Sequence, residues 1–160
     1  MTKTRIIAEP GLPFIDVRRE FDAPRDLVFR AHMDPDLLVQ WLGPGRFAMT
    51  VDRMEVRDGG RWRYFHRESD GNEYGFHGVF HGTPLPERSV QTFEFEGAPG
   101  HVSLQTLTLE EREGRTHSTV RVVHESVEAR DAVVASGMGE GMTMGYDRLD
   151  ELLAGLVPVG

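Results

Sequence analysis

Histidine is the residue type in this chain whose side chain most readily moves a proton near neutral pH. Of the seven histidines, His66 has the most informative position, because it follows Trp62 and Tyr64 at alternate residues. Residues spaced by two lie on one face of an extended strand. His66 could therefore act as a general acid or base toward a molecule held against those rings. The alternative is a strand-end histidine, near Glu68 and Asp70, that is only hydrogen-bonded.

Large rings alternate through two further segments, so that three predicted strands carry aromatic side chains on one shared face. The rings expected on this face are Trp62, Tyr64, Phe76, Phe80, Phe93 and Phe95. Gly78 interrupts the series with a position that has no side chain. Such a face must be covered, and we expect the C-terminal helix to cover it and to bury most of these rings deeply.

Other catalytic arrangements are not found in the sequence. His77 and His81 are four residues apart, which on a strand separates them by about 13 Å, so they cannot chelate one metal ion. Their parity opposes the rings and predicts solvated surface side chains. The run from Gly137 to Met142 lacks the last glycine of a dinucleotide-binding loop, and it lies in a helical pattern. We therefore expect no metal and no cofactor.

Composition limits the class of protein. The chain has 160 residues, 39% of them apolar, which suits a single domain over residues 1–160 with a core from about 14 to 155. A formal charge of -8 opposes binding to the phosphate backbone of nucleic acid. Cysteine is absent, which excludes disulfides and thiolate chemistry. No signal peptide or membrane-spanning apolar run occurs, so we expect a cytoplasmic protein without a membrane span.

Capping and turn residues divide the chain into ordered elements. A strand over residues 14–21 should precede two short helices that open at Pro24 and Pro35, the second reaching Trp41 and ending at residues 43–44. Six strands should follow, separated by turns: 47–57, 60–68, 72–82, 88–96, 101–111 and 115–125. The parity of apolar residues changes near residues 52–53, which predicts a β-bulge there.

The last segment, residues 127–156, is predicted to be one helix, because apolar residues recur along it at helical spacing. Gly137, Gly141 and Gly145 interrupt it at intervals of four, and each mid-helix glycine costs roughly 1 kcal/mol relative to alanine. Two explanations stay open. The glycines either permit close packing or a kink, or they leave volume for a ligand between the helix and the sheet.

Four segments of the chain resemble the START-like (SRPBCC) superfamily, and in particular its branch named after the activator of heat-shock protein 90 ATPase. These segments are FDAPRDLVF at 21–29, WLGP at 41–44, EVRDGGRW at 55–62 and EARD at 128–131. The resemblance covers roughly residues 14–155. It implies an α+β helix-grip fold, in which a curved antiparallel sheet of order β-α-α-β6-α wraps around a long C-terminal helix and an interior pocket.

The fold and the ring-lined face together predict binding of a small hydrophobic or aromatic ligand in a cavity between sheet and helix. The residues expected to line this cavity are Trp41, Trp62, Tyr64, His66, Phe76, Phe80, Phe93, Met138, Gly141, Met142 and Tyr146. The superfamily also includes a co-chaperone domain and polyketide cyclases. Its breadth leaves two alternatives: a protein-interaction module that contacts a chaperone or forms a homodimer, and a cyclase or dehydratase that uses His66 and a tyrosine.

Overall fold

The computed structural model describes residues 3–42 and 48–157. The strands within these ranges are β1 Arg5–Ile7, β2 Phe14–Phe21, β3 Ala48–Met54, β4 Arg61–Arg67, β5 Glu73–Val79, β6 Arg88–Phe95, β7 Val102–Arg112 and β8 Arg115–Val123. The helices are α1 Arg25–Met33, α2 Pro35–Leu38, α3 Val127–Ala135 and α4 Met138–Leu156.

All eight strands belong to one antiparallel sheet of order β1-β2-β8-β7-β6-β5-β4-β3. Strands β3 to β8 pair consecutively as a meander, and β8 returns to lie beside β2. The α+β class and the predicted helix-grip fold are therefore confirmed. The sequence did not predict β1, a three-residue strand whose Ile6 pairs with Val17 of β2, because so short a strand has no readable alternation.

A capping residue marks the start of the second short helix, α2. Asp34 caps α2, because its side chain accepts a hydrogen bond from the backbone N–H of Asp36 at 2.9 Å. The helix ends at Leu38, so Trp41 lies beyond it instead of within it. The predicted helix stop and the start of the next strand fall in residues 43–47, outside the described residues.

The prediction of one continuous helix over residues 127–156 is wrong. The segment folds as α3 and α4, and Gly137 between them has a φ of 87°. Glycine adopts this left-handed conformation without a steric penalty, which is why helices commonly end at it. Of the two explanations left open for the glycines, the kink therefore applies at Gly137. Val134 of α3, which shares the apolar spacing, is 40% exposed.

The predicted β-bulge is present in β3. The pairing of β3 with β4 shifts between Val51 and Arg53, which leaves Asp52 as the extra residue. After the bulge, Met54 returns to the inner face of the sheet, where it packs against the cluster around Trp62. The change of apolar parity in the sequence is the direct signature of this irregularity.

Side chains on the inner face of the sheet form two apolar clusters. The larger, which we call the main core, joins α4 to β2 and β7. Its buried members include Ile15, Val17, Phe21, Trp41, Leu107, Leu109, Tyr146, Leu149 and Leu153. The smaller cluster consists of Met33, Trp62 and Phe80 with half-buried neighbours. The helices thus divide the sheet, with α4 over one end and α1 contributing to the other.

Gly78 lies on the inner face of β5, and the side chain of Trp62 occupies the space beside it. The two residues pair across β4 and β5. A Cβ placed on Gly78 would lie 2.7 Å from Cε2 and Cζ2 of Trp62, and 2.0 Å from the carbonyl oxygen of Thr92. Both separations are far below van der Waals contact, so any side chain here would displace the indole or the neighbouring strand.

Replacing Gly78 with alanine should therefore destabilise the protein by roughly 1–3 kcal/mol or more. Gly155 in α4 provides a matched control, since a Cβ there meets nothing within 4 Å. Gly155→Ala should instead raise the free energy of unfolding by up to about 1 kcal/mol through better helix propensity. Urea denaturation of both variants measures the difference. A Gly78→Ala variant as stable as the parent would show that the indole is not tightly constrained.

Candidate functional site

Three adjacent strands, β4, β5 and β6, carry aromatic side chains on the inner face of the sheet, and we call this surface the ring wall. Its members are Trp62, Tyr64, His66, Phe76, Phe80, Phe93 and Phe95. Register makes them neighbours, since Tyr64 pairs with Phe76 and Phe76 with Phe95. Ring centroids lie 5.2 Å apart for Trp62 and Tyr64, and 5.4 Å apart for Phe76 and Phe93. Such separations are favourable for aromatic pairs.

Charged residues occupy the opposite face of the same strands, which confirms the predicted side-chain parity. Arg63 donates hydrogen bonds to both carboxylate oxygens of Glu96, at 2.8 and 2.9 Å, and this pairing lowers the pKa of Glu96 to about 2. His77 lies beside the same carboxylate, with Nδ1 3.0 Å from Oε2, and its side chain is 43% exposed. His81 is also exposed. Both are surface histidines, as predicted.

The ring wall is buried at one end and partly open at the other. Trp62 and Phe80 are 2% and 1% exposed, and they pack with Phe29 and Met33 of α1. The half-buried members are Tyr64, Phe76, Phe93 and Phe95. Two predictions are thereby corrected: most of the rings are not deeply buried, and the helix packed on the buried end is α1. The apolar stripe of the C-terminal helix packs in the main core instead.

Two residues predicted to line the cavity, Trp41 and Tyr146, lie in the main core. The Trp41 indole N–H donates to the carbonyl oxygen of Ala31 at 2.9 Å, and its ring stacks on Tyr146 at 5.9 Å. Burial raises the pKa of Tyr146 to about 12. The other predicted helix positions, Met138, Gly141 and Met142, are half-buried, with the two methionines against the main core.

A polar strip separates the main core from the ring wall on the inner face. Gln91 of β6 and Gln105 of β7 pair across the two strands, and the amide of Gln91 donates to the side-chain oxygen of Gln105 at 3.2 Å. Both are half-buried. Ser103, beside Phe93, continues the strip toward the open end of the ring wall. The two amide side chains thus satisfy part of each other's hydrogen-bonding capacity on this covered face.

The open end of the ring wall also has charged and titratable neighbours. Arg148 of α4 donates a hydrogen bond from Nη2 to the carbonyl oxygen of Trp41 at 2.8 Å. Burial lowers the pKa of His66, which is 7% exposed, and the charge of Arg148 lowers it further. His66 is therefore neutral at pH 7. Burial raises the pKa of Tyr64, so its hydroxyl stays protonated.

Arg148 and the pair Gln91–Gln105 were not among the predicted site residues, although the sequence contains a signal for each. Arg148 follows Gly141 by seven residues, and this spacing places both on one helix face. Gln91 shares the parity of Phe93 two residues later. The sequence pattern therefore indicates which face of its own element each polar residue occupies. Which element lies opposite that face depends on the three-dimensional fold.

Two surface clefts are lined by described residues. One, of about 490 Å³, lies between α2 and β3 and is lined in part by Pro35, Val39, Met49 and Met54. The other, of about 320 Å³, lies on the outer face near β1 and includes Phe14 and Arg121.

No three His, Cys, Asp or Glu side chains in residues 3–42 and 48–157 are grouped to hold a metal ion. No described helix is long and apolar enough to cross a membrane.

A curved antiparallel sheet with its helices on one face and a ring-lined interior defines a START-like protein of the helix-grip class. The family model for activator of Hsp90 ATPase homolog 1-like proteins matches residues 22–154, and the chain belongs to that family. A search of curated proteins returned no match.

Solved bacterial structures share this fold over most of the chain. A protein from Rhodobacter sphaeroides is 31% identical, with a TM-score of 0.87 over 96% of this chain and 99% of its own. The protein Ms6760 from Mycobacterium smegmatis is 26% identical, with a TM-score of 0.85 over 94% and 96%. CalU16 from Micromonospora echinospora, at 24% identity and a TM-score of 0.62, covers 100% and 78% and shows the fold alone.

The lowered pKa of His66 predicts a pH dependence of stability. Because the unfolded chain binds the proton more readily than the folded protein, the free energy of unfolding should decrease as pH falls through the ordinary value of 6.5. His66→Gln should make this decrease shallower between about pH 7.5 and 5.5. Burial also lowers the pKa of His32, so part of the decrease should remain.

Chemical denaturation at several pH values measures this effect. The exposed His81 supplies the control, since His81→Gln removes a histidine without changing the interior. An identical pH profile for His66→Gln and the parent would contradict the assignment of a neutral, buried His66.

Proposed function

We propose that the chain binds a small, mainly apolar or aromatic molecule in the space between the ring wall and the Arg148 face of α4. The observation that carries this proposal is the partial exposure of four neighbouring rings on the covered face of the sheet. Apolar side chains on such a face are normally buried completely, as they are in the main core. An aromatic ligand would complete the burial of these rings.

The polar groups around the wall suit such a ligand. Small-molecule sites combine a mainly apolar lining with a few polar groups that fix orientation. Here the polar strip of Gln91 and Gln105 supplies amide donors and acceptors on one side. Tyr64 and His66, whose ring centroids are 5.5 Å apart, add a hydroxyl and a neutral imidazole. The START-like class includes proteins that bind hydrophobic ligands and polyketide cyclases, which supports the proposal.

The cleft between α2 and β3 provides a route of access. Its lining includes Met49, Val51 and Met54, which also pack against the main core. Met54 in addition contacts the cluster around Trp62. The cleft is therefore continuous with the side chains that border the ring wall, and flexible methionines can move to admit a ligand.

The alternatives have no comparable observation in their favour. Contact with a chaperone and formation of a homodimer stay predictions. Acid–base catalysis by His66 also stays a prediction, although its neutral state at pH 7 is the state that a general base requires.

Gly141 tests whether the space beside α4 holds a ligand. If it does, Gly141→Leu should fill that volume and abolish binding, while the protein stays folded because leucine gains up to about 1 kcal/mol in helix propensity. If the glycine instead permits close packing, the variant should lose roughly 1–3 kcal/mol or more. Isothermal titration with decanoate, naringenin and 2-naphthol measures binding, and urea denaturation measures stability.

Gly155→Leu is the matched control, since it makes the same change in the same helix where nothing lies within 4 Å. It should bind the test compounds like the parent. A strongly destabilised Gly141→Leu variant, together with a parent that binds none of the compounds, would overturn the proposal and leave a solid interior.

A further inference from the structure

The two tryptophans of this chain differ in the hydrogen bonding of their indole groups. Both side chains are buried, with Trp41 3% and Trp62 2% exposed. The N–H of Trp41 donates to the carbonyl oxygen of Ala31 at 2.9 Å. Nε1 of Trp62 is also closed to solvent, but residues 3–42 and 48–157 supply no hydrogen-bond acceptor for it. Buried polar groups are nearly always paired, so this unpaired donor requires an explanation.

The aromatic rings in contact with Trp62 do not take the place of an acceptor. An indole N–H lies in the plane of its own ring, so it points at the face of a second ring only when the two planes are steeply inclined. Tyr64 stacks on Trp62 with 5.2 Å between ring centroids and 21° between planes, and for Phe93 the values are 5.8 Å and 34°. Because an indole has one donor and no acceptor, the polar capacity of Trp62 is unused within the described part of the chain.

The position of Trp62 joins this donor to the ring wall and to the cleft between α2 and β3. Tyr64 and Phe93, the two rings in contact with the indole, are half-buried members of the wall. Met54 pairs with Trp62 across β3 and β4, and it packs against the cluster that contains the indole. The same methionine lines the cleft of about 490 Å³. Movement of one flexible side chain can therefore extend the cleft toward the indole.

We propose that the indole N–H of Trp62 donates a hydrogen bond to a carbonyl oxygen of the ligand, while the aromatic body of the same molecule lies against Tyr64 and Phe93. This inference rests on the proposed function and narrows the ligand to neutral aromatic carbonyl compounds. The N–H has already lost its contact with water in the free protein. Binding therefore adds a hydrogen bond without a new desolvation cost for this donor.

A carbonyl group suits this position better than a hydroxyl or a carboxylate. Apart from Tyr64, the cluster around the indole consists of apolar side chains, among them Met33, Met54 and Phe80. A hydroxyl would bring a donor of its own that apolar side chains leave unpaired, and a carboxylate would place a charge among them. Both arrangements are costly. A carbonyl oxygen only accepts, which is what an unpaired N–H requires.

Pairs of compounds that differ only in this oxygen test the inference. 2-Acetylnaphthalene and 2-isopropenylnaphthalene have nearly the same shape, as do benzophenone and 1,1-diphenylethylene, but only the former of each pair carries a carbonyl group. The parent should bind each ketone roughly threefold to tenfold more tightly than its alkene. Proton–nitrogen NMR titrations measure the affinities. Each ketone should also move the Trp62 indole proton further downfield than its alkene does, with the bonded indole of Trp41 as the internal reference.

Trp62→Phe removes the donor and keeps an aromatic ring, so this variant should bind ketone and alkene with equal affinity. Trp41→Phe is the matched control, because it makes the same change in the main core. It should keep the preference for ketones. Thermal melts verify that both variants are folded, and the NMR comparison on the parent decides the question even if one of them is not.

Three results would overturn the role of Trp62 and leave the proposed function intact. They are equal affinity of the parent for ketone and alkene, an unchanged preference in a folded Trp62→Phe variant, and a Trp62 indole proton that both members of a pair move equally. If neither member of either pair binds the parent, the proposed function and this inference fail together.

Discussion

The organisation of the interior follows from a mismatch between the width of the sheet and the width of a helix. Eight strands spaced by about 4.8 Å span about 34 Å, whereas one packed helix covers roughly 10 Å. The 19-residue α4 can therefore bury only part of the inner face. It packs against β2 and β7, and α1 reaches Trp62 and Phe80 at the other end. The half-buried rings lie where neither helix completes the cover.

Two buried arginines hold the C-terminal helices at the β2 end of the sheet. Arg19 pairs with Asp147 and Asp150 of α4, and Arg130 of α3 donates to backbone carbonyls that include that of Phe14. Removing one partner of such a buried pair leaves an uncompensated charge, which makes the arrangement specific. Arg148 of the same helix donates to the carbonyl oxygen of Trp41 in the main core. The place at which α4 is anchored thus determines which part of the inner face it covers.

Local patterns in the sequence predicted the strands and the faces of their side chains. Alternation identified the ring wall, and a change of parity located the bulge at Asp52, because strand register depends only on a period of two. The break at Gly137 was missed because a left-handed glycine does not disturb the apolar spacing on either side. The contact of α1 with the buried end of the ring wall was missed because it depends on residues that are distant in the sequence.

The partial exposure of the ring wall has an energetic consequence that connects stability with binding. Burial of apolar surface contributes about 25 cal/mol of stability per Å², and surface left in contact with water does not contribute it. An unliganded protein with four half-buried rings is therefore less stable than a fully packed one. A ligand that binds only the folded protein adds its binding free energy to the stability. The same rings would then contribute to the core of the complex, and occupancy would determine how firmly α4 and β4 to β6 hold together.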